Sequence, residues 1–305
     1  MGKHDFFGVH TPLVTPFKDD LSYDEEGFRK LCRHFIDNVK VQGLVPCGTT
    51  GESPTLTDEE KKRVIEITIE EAAGKVPVMA GAGSNSTHHA IRATRTAEKL
   101  GANAVLIVGP YYNKPNQKGL LAHYKVIAEN TSLPIFIYNI PGRTSRNIEP
   151  ETIIKLAKEV DNIAGLKDAC ADLNQTMKII SATKDLKKEG NPFYVLSGED
   201  ALTFSIMALG GHGAISATSH VVGEEQIQMW QKISSGDLKG AREIHFKILP
   251  MMKTLFIESN PSPVKHALKL MNLPSGKVRI PLVELSKESK DTVRQALFDL
   301  GKIKG

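Results

Sequence analysis

Eight short apolar runs punctuate this chain, each closing on Gly, Pro, Thr or Ser. They begin near Gly8, Gly43, Val76, Ala104, Leu133, Ile163, Phe193 and His212. The steps between them are about 30 residues, apart from a shorter last one. Uninterrupted apolar runs of this length suit strands buried on both faces. Amphipathic stretches lie between them. Phe28, Leu31, Cys32, Phe35 and Ile36 follow the spacing of one helical face. Thr57-Asp-Glu-Glu60 is a capping-box start. Leu100 before Gly101 marks a helix end, Pro150 a first turn, and Asp172 a cap for the helix that follows the sixth run.

Eight strands alternating with helices predict a (β/α)8 TIM barrel over residues 1–236. An open doubly wound sheet would carry a phosphate fingerprint after its first strand, where this chain has Thr15-Pro16-Phe17. From about Asp237 the strand signals stop. Helical patterns over 238–259, 263–271 and 289–300 predict a C-terminal helical extension, 237–305. Packing on the barrel and subunit contacts are its expected roles.

At 305 residues with 40% apolar and 24% charged residues, the chain has the composition of a soluble enzyme. A net charge of +4, spread along the chain, lacks the basic stripe of a nucleic-acid binder. Three cysteines without close pairs argue against a disulfide framework. Met1-Gly-Lys-His-Asp-Phe6 shows neither a leader's apolar stretch nor a myristoylation motif, and no apolar run is long enough to span a bilayer. The expectation is a cytoplasmic protein with no membrane and no nucleic-acid partner.

Barrel enzymes place their chemistry at the C-terminal ends of strands. Those ends offer Thr49 and Thr50, Tyr111 and Tyr112, Tyr138 with Arg143, Lys167, Ser197-Gly198, and Ser216. No metal-spaced His/Asp/Glu cluster and no Gly-x-Ser-x-Gly elbow accompanies them. His88-His89 reads as a solvated helix start, His212 and His220 as structural, Cys47 as a small core residue, and Gly210-Gly-His-Gly213 as a tight turn. What remains suits carbanion chemistry through an iminium ion. A lysine amine condenses with a ketone, the protonated imine draws electrons, and a tyrosine moves the α-proton. The pattern alone leaves Lys167 either such a catalyst or a strand-end lysine reaching water. It likewise leaves Arg143 either a carboxylate clamp or a surface ion pair, and the backbone N–H groups of Gly48-Thr-Thr-Gly51 either an anion cradle or a plain turn.

Thr15-Pro-Phe17, Gly48-Thr-Thr-Gly-Glu52, Pro110-Tyr-Tyr-Asn-Lys-Pro115, Tyr138-Asn-Ile-Pro141, Gly165-Leu-Lys167 and Gly210-Gly-His-Gly213 together resemble the dihydrodipicolinate synthase / N-acetylneuraminate lyase superfamily of pyruvate-dependent class I aldolases, across the whole chain. Pro141-Gly-Arg-Thr144 is similar to the dihydrodipicolinate synthase branch, whereas sialic acid lyases typically lack that arginine. The resemblance implies condensation of pyruvate with aspartate β-semialdehyde to give 4-hydroxy-tetrahydrodipicolinate, in lysine and diaminopimelate biosynthesis. It implies that Lys167 forms the imine, that Thr49, Tyr138 and Tyr112 relay protons, with Tyr112 from a neighbouring subunit, and that Thr50 binds the pyruvate carboxylate. Arg143 would hold the semialdehyde's carboxylate, with Ile215 and Gly198 completing the substrate site. Members are commonly homotetramers, dimers of dimers, with no metal or organic cofactor.

The chain departs from the pattern after the lysine, with Lys167-Asp-Ala-Cys-Ala171 where Lys-Glu-Ala-Ser/Thr-Gly is common, and at Pro54. Asp168 and Cys170 bring a 2-keto-3-deoxy sugar acid aldolase, or an N-acetylneuraminate lyase-like retro-aldol enzyme, into view as the alternative. A non-catalytic keto-acid sensor would have no need of the relay residues. Ser53, Asn85 and Tyr111 match the lysine-inhibited members, but Lys61 and His89 stand where a histidine and a glutamate help hold the inhibitor. Weak or absent lysine inhibition is the expectation.

Overall fold

Strands form where the apolar runs lie: β1 (Gly8–Thr11), β2 (Gly43–Leu44), β3 (Met79–Gly81), β4 (Ala104–Val108), β5 (Ile135–Asn139), β6 (Ile163–Asp168), β7 (Tyr194–Ser197) and β8 (Gly213–Ile215). The computed structural model describes residues 5–188 and 190–304. Residues 1–4, part of the stretch read above for a leader, lie outside them. Among the described residues the eight strands form one sheet in the order β2-β1-β8-β7-β6-β5-β4-β3. The pairings β1–β2, β3–β4, β4–β5, β5–β6, β6–β7 and β7–β8 are all parallel. The fold is the expected TIM barrel, followed by C-terminal helices. The chain divides into two compact units, residues 1–8 with 77–215 and residues 9–76 with 216–305.

In the first unit the helices are α3 (Thr87–Leu100), α4 (Gln117–Ala128), α5 (Pro150–Glu159), α6 (Leu173–Thr183) and the short α7 (Thr203–Ala208). Their ends follow the local signals. Ser86, Asn116 and Asp172 accept hydrogen bonds from first-turn N–H groups, and Gly101 closes α3 at a φ of 94°. A small antiparallel pairing of Lys187–Lys188 with Asn191–Pro192 was not expected from the pattern. Phe136, Phe193 and Tyr194 are buried, and Phe6 meets Phe136 and Tyr194 edge-on at 4.9 and 5.7 Å. The glycine turn ahead of β8 is steric in origin. A Cβ on Gly213 would lie 2.0 Å from the carbonyl oxygen of Gly8, so a side chain cannot stand there. His212 is structural, its Nδ1 accepting the Val195 N–H at 3.1 Å.

In the second unit β1 pairs with β2 through His10↔Gly43 and Thr11↔Leu44. The Leu13 N–H to Val45 carbonyl bond extends the alignment beyond the short strand. Helix α1 (Glu25–Arg33) runs into a π-helical turn, His34–Val39, and the predicted apolar face Phe28, Leu31, Cys32, Phe35 and Ile36 is buried. Helix α2 (Asp58–Ala72) opens on a complete capping box between Thr57 and Glu60. Then come α8 (Ser219–Ser234), α9 (Leu238–Thr254), α10 (Ser262–Leu270) and α11 (Lys287–Asp299). The helix expected over 238–259 stops at Thr254, and turns lead to Asn260-Pro261. A residue ahead of proline is steered out of the α conformation, and Pro261 and Pro263 stand close together here. Met251 and Met252 are packing residues, as expected.

His220 is buried, and its partners dictate its protonation. Nδ1 lies 2.8 Å from the Ala217 carbonyl, which only accepts, so Nδ1 carries the proton. Nε2 accepts the Val14 N–H at 3.3 Å. A second proton would break that bond. Burial lowers its pKa to about 4. The unfolded chain therefore takes up the proton first as pH falls. We expect stability to decline between about pH 6.5 and pH 4, by up to about 3 kcal/mol from this group. Urea midpoints measured across that range should fall for the natural protein and fall less steeply for His220→Gln.

Candidate active site

The site builds outward from one strand pair in the first unit. Tyr138 on β5 stands directly beside Lys167 on β6 in register, so both side chains leave the sheet on the same face. Both are 6% exposed, and the Lys167 Nζ sits 4.2 Å from the centre of the Tyr138 ring. On the other side β7 pairs Lys167 with Leu196 and Asp168 with Ser197, and the Gly198 N–H donates to the Asp168 carbonyl at 2.7 Å. Gly198 makes room for the lysine. A Cβ there would lie 2.9 Å from both Cγ and Cε of Lys167 and 3.0 Å from Cβ of Ala169. Ile215, 1% exposed, ends β8.

The residue after the lysine is scaffold. Asp168 is buried, and its carboxylate accepts the Thr176 hydroxyl at 2.7 Å and the Cys170 N–H at 3.2 Å. It therefore ties β6 to α6. This bonding involves Asp168 and Cys170, two residues of the departure at 168–171. Burial, with Asp168 beside it, pushes the Cys170 thiol up to about 12, and burial does the same to Cys47. Neither is a thiolate at neutral pH, and nucleophilic cysteine chemistry needs the thiolate.

Arg143 lies in a helical turn, Pro141–Thr144, rather than the plain loop expected, and is exposed. Its loop is pinned from β5: Asn139 donates to the Asn147 carboxamide at 2.9 Å and accepts the Ile148 N–H at 3.0 Å. Tyr112 is 90% exposed, with a left-handed φ of 72° that turns it outward. The structure therefore does not pack Tyr112 onto its own chain's Tyr138 and Lys167.

Thr49 and Thr50 belong to the second unit, in the tight turn after β2. The Gly51 N–H donates to the Gly48 carbonyl at 3.2 Å and the Glu52 N–H to the Thr49 carbonyl at 3.1 Å. The Gly51 N–H is thus spent inside the turn. Thr50 is 3% exposed, and its Oγ1 accepts the Asn260 side-chain amide at 3.0 Å. Glu52, with a left-handed φ of 54°, is also buried. Its carboxylate meets Lys265 Nζ at 2.5 Å and accepts the Arg279 N–H at 2.9 Å. Asn260 and Lys265 were not singled out from the sequence. Nothing local marks them, because Asn260 and Thr50 stand 210 residues apart.

The family model described as the dihydrodipicolinate synthetase family matches residues 5–299. The chain belongs to this family. A 4-hydroxy-tetrahydrodipicolinate synthase from Endomicrobium trichonymphae is 46% identical over 299 residues, 98% of this chain and 100% of that one. One from Methanocaldococcus jannaschii is 46% identical over 298 residues, 98% of this chain and all of that one. The solved dihydrodipicolinate synthase of Thermotoga maritima is 43% identical, with a TM-score of 0.94 and coverage of 98% and 99%. These relatives carry the name of the branch to which Pro141-Gly-Arg-Thr144 pointed. No helix among the described residues is long and apolar enough to cross a membrane.

Gly198→Ala tests the packing argument. Gly198 needs no left-handed backbone, so the added methyl collides with the lysine stem rather than straining the chain. The expected result is a stable protein, with its urea midpoint within about 1 kcal/mol of the natural one, whose amine attacks a keto acid at least about tenfold more slowly. Borohydride trapping of the imine over time reads that rate.

Proposed function

We propose that this chain is a 4-hydroxy-tetrahydrodipicolinate synthase, a lyase that condenses pyruvate with aspartate β-semialdehyde through a lysine Schiff base. The observation that carries the reading is Lys167. It is a buried lysine registered beside Tyr138 at barrel strand ends, on a chain of this family with relatives of that name. The Lys167 amine adds to the keto carbon of pyruvate, and water leaves to give a protonated imine. Loss of a methyl proton gives the enamine, whose carbon attacks the aldehyde carbon of the second substrate. That substrate's amine then adds to the imine carbon, closing the ring and releasing Lys167. Tyr138, whose ring faces the lysine, takes the proton-moving role in these steps that the resemblance assigns to it.

Thr49 and Tyr112 keep the remaining relay roles that the resemblance assigns, and Thr50 the pyruvate carboxylate. The near-complete exposure of Tyr112 supports its delivery to a neighbouring copy, within a homotetramer built as a dimer of dimers. Arg143, exposed and always charged, suits the carboxylate of the semialdehyde, and Ile215 and Gly198 shape the pyruvate end. No metal or organic cofactor enters this scheme, and a cytoplasmic setting fits a biosynthetic enzyme of this kind.

Incubation with pyruvate, reduction with borohydride and mass mapping should place the adduct on Lys167. An adduct elsewhere, or none, would end the Schiff-base reading. Arg143→Ala should raise KM for the semialdehyde about 10- to 100-fold, as expected for losing a charged hydrogen-bonded pair, with half-saturating pyruvate in the trapping assay unchanged. Equal damage to both steps would remove Arg143 from its role.

Lysine inhibition offers a separate check. The dihydrodipicolinate synthase of Cyanidioschyzon merolae, 40% identical with a TM-score of 0.93, was solved with lysine bound. Here Lys61, only loosely paired with Asp58 at 3.8 Å, would set a cation near the ligand's own. Assayed side by side, this enzyme should need at least about tenfold more lysine for half-inhibition, about 1.4 kcal/mol weaker binding. Equal sensitivity would refute the argument.

A further inference from the structure

The C-terminal helical region reaches the threonine turn with two buried polar contacts, both in the second unit. The first is Asn260 to Thr50. An amide NH2 only donates, so in this contact the Thr50 oxygen only accepts. The hydroxyl proton of Thr50 is then directed away from Asn260, free to donate to an anion. The second is the Lys265–Glu52 pair, 2% and 1% exposed, two residues further along the same turn. Lys265 also donates to the Lys277 carbonyl at 2.7 Å and faces the Phe17 ring at 4.3 Å, while Arg279 covers the same ring at 4.1 Å. Arg279 is itself held by Glu60 and by the Leu21 and Thr55 carbonyls. From within the turn's own end of the chain, Thr15 Oγ1 donates to the Gly51 carbonyl at 2.7 Å. The 48–52 turn is therefore gripped at Thr50, Gly51 and Glu52.

We propose that Asn260 is a positioning residue for keto-acid binding: it orients the Thr50 hydroxyl as a donor to the substrate carboxylate, with the Lys265–Glu52 pair holding the turn that carries it. This rests on the role proposed for Thr50 and on pyruvate as the first substrate. It gives the helices beyond residue 237 a part in substrate binding. Asn260 never touches the reacting atoms in this scheme. It acts through the direction of one O–H bond, which is why replacing its donor by an acceptor matters more than deleting it.

The readout is the pyruvate concentration that half-saturates borohydride trapping on Lys167, beside kcat and KM for both substrates. Asn260→Asp would accept from Thr50 and so turn the hydroxyl proton away from the ligand, besides adding a negative charge. It should raise half-saturating pyruvate by at least about tenfold, with kcat at saturation within about threefold and KM for the semialdehyde unmoved. Asn260→Ala should raise it less. In a Thr50→Val background, Asn260→Ala should add less than about a twofold further change, because the hydroxyl it orients is gone. Circular dichroism and urea midpoints select the folded variants. If Asn260→Asp does not fold, the Asn260→Ala and Thr50→Val cycle alone decides. Asn260→Asp binding pyruvate like the natural enzyme, or full additivity in the cycle, overturns the proposal. Failure of the underlying reading looks different: the natural enzyme itself would then trap no pyruvate.

Discussion

A positive charge in a protein interior must be answered by its surroundings, and among the described residues two buried lysines are answered in opposite ways. Lys265 is enclosed by a carboxylate, a carbonyl and an aromatic face. Burial still lowers its pKa to about 8, with Glu52 opposing that effect. Such a lysine is structural, because everything around it holds the ammonium in one place. Lys167 forms no ion pair among the described residues; its Nζ is set against the Tyr138 ring. A carboxylate partner would favour the cation over the free amine. Lys167 has no such partner among the described residues and lies against a phenol ring, which fits the role proposed for it.

The neighbours of Lys167 serve that arrangement by what they lack as much as by what they supply. Gly198 contributes only space on one side, which the lysine stem fills. Asp168, next in sequence, points its carboxylate into the bonds that tie β6 to α6, since adjacent strand residues face opposite sides of the sheet. A carboxylate one residue from the lysine is thus kept away from it by the period of the strand.

Much of this was legible in the residues. The strands were visible because burial on both faces demands continuous apolar runs, and the helix ends because Thr57, Ser86, Asp172 and Gly101 satisfy end groups locally. The strand-end inventory found Lys167, Tyr138 and Gly198, since position at a strand end is a local property. It could not show that Tyr138 and Lys167 are neighbours in register, or that Tyr112 faces outward. One reading was revised by geometry: the long helix after residue 237 stops short of Asn260-Pro261.

The sequence by itself determined the alternation of strand and helix, the lysine at the end of the sixth strand, and through its motifs the family. These depend on periodicity and on short-range chemistry, which one stretch of chain carries alone. Only the tertiary structure decided which polar groups meet. Asn260 finds Thr50 across 210 residues, and Lys265 finds Glu52, because the helices that bear them fold back on the turn after β2. No local pattern encodes such a meeting. It is set by the packing of apolar faces that carry the polar groups with them, and burial then makes each pairing obligatory.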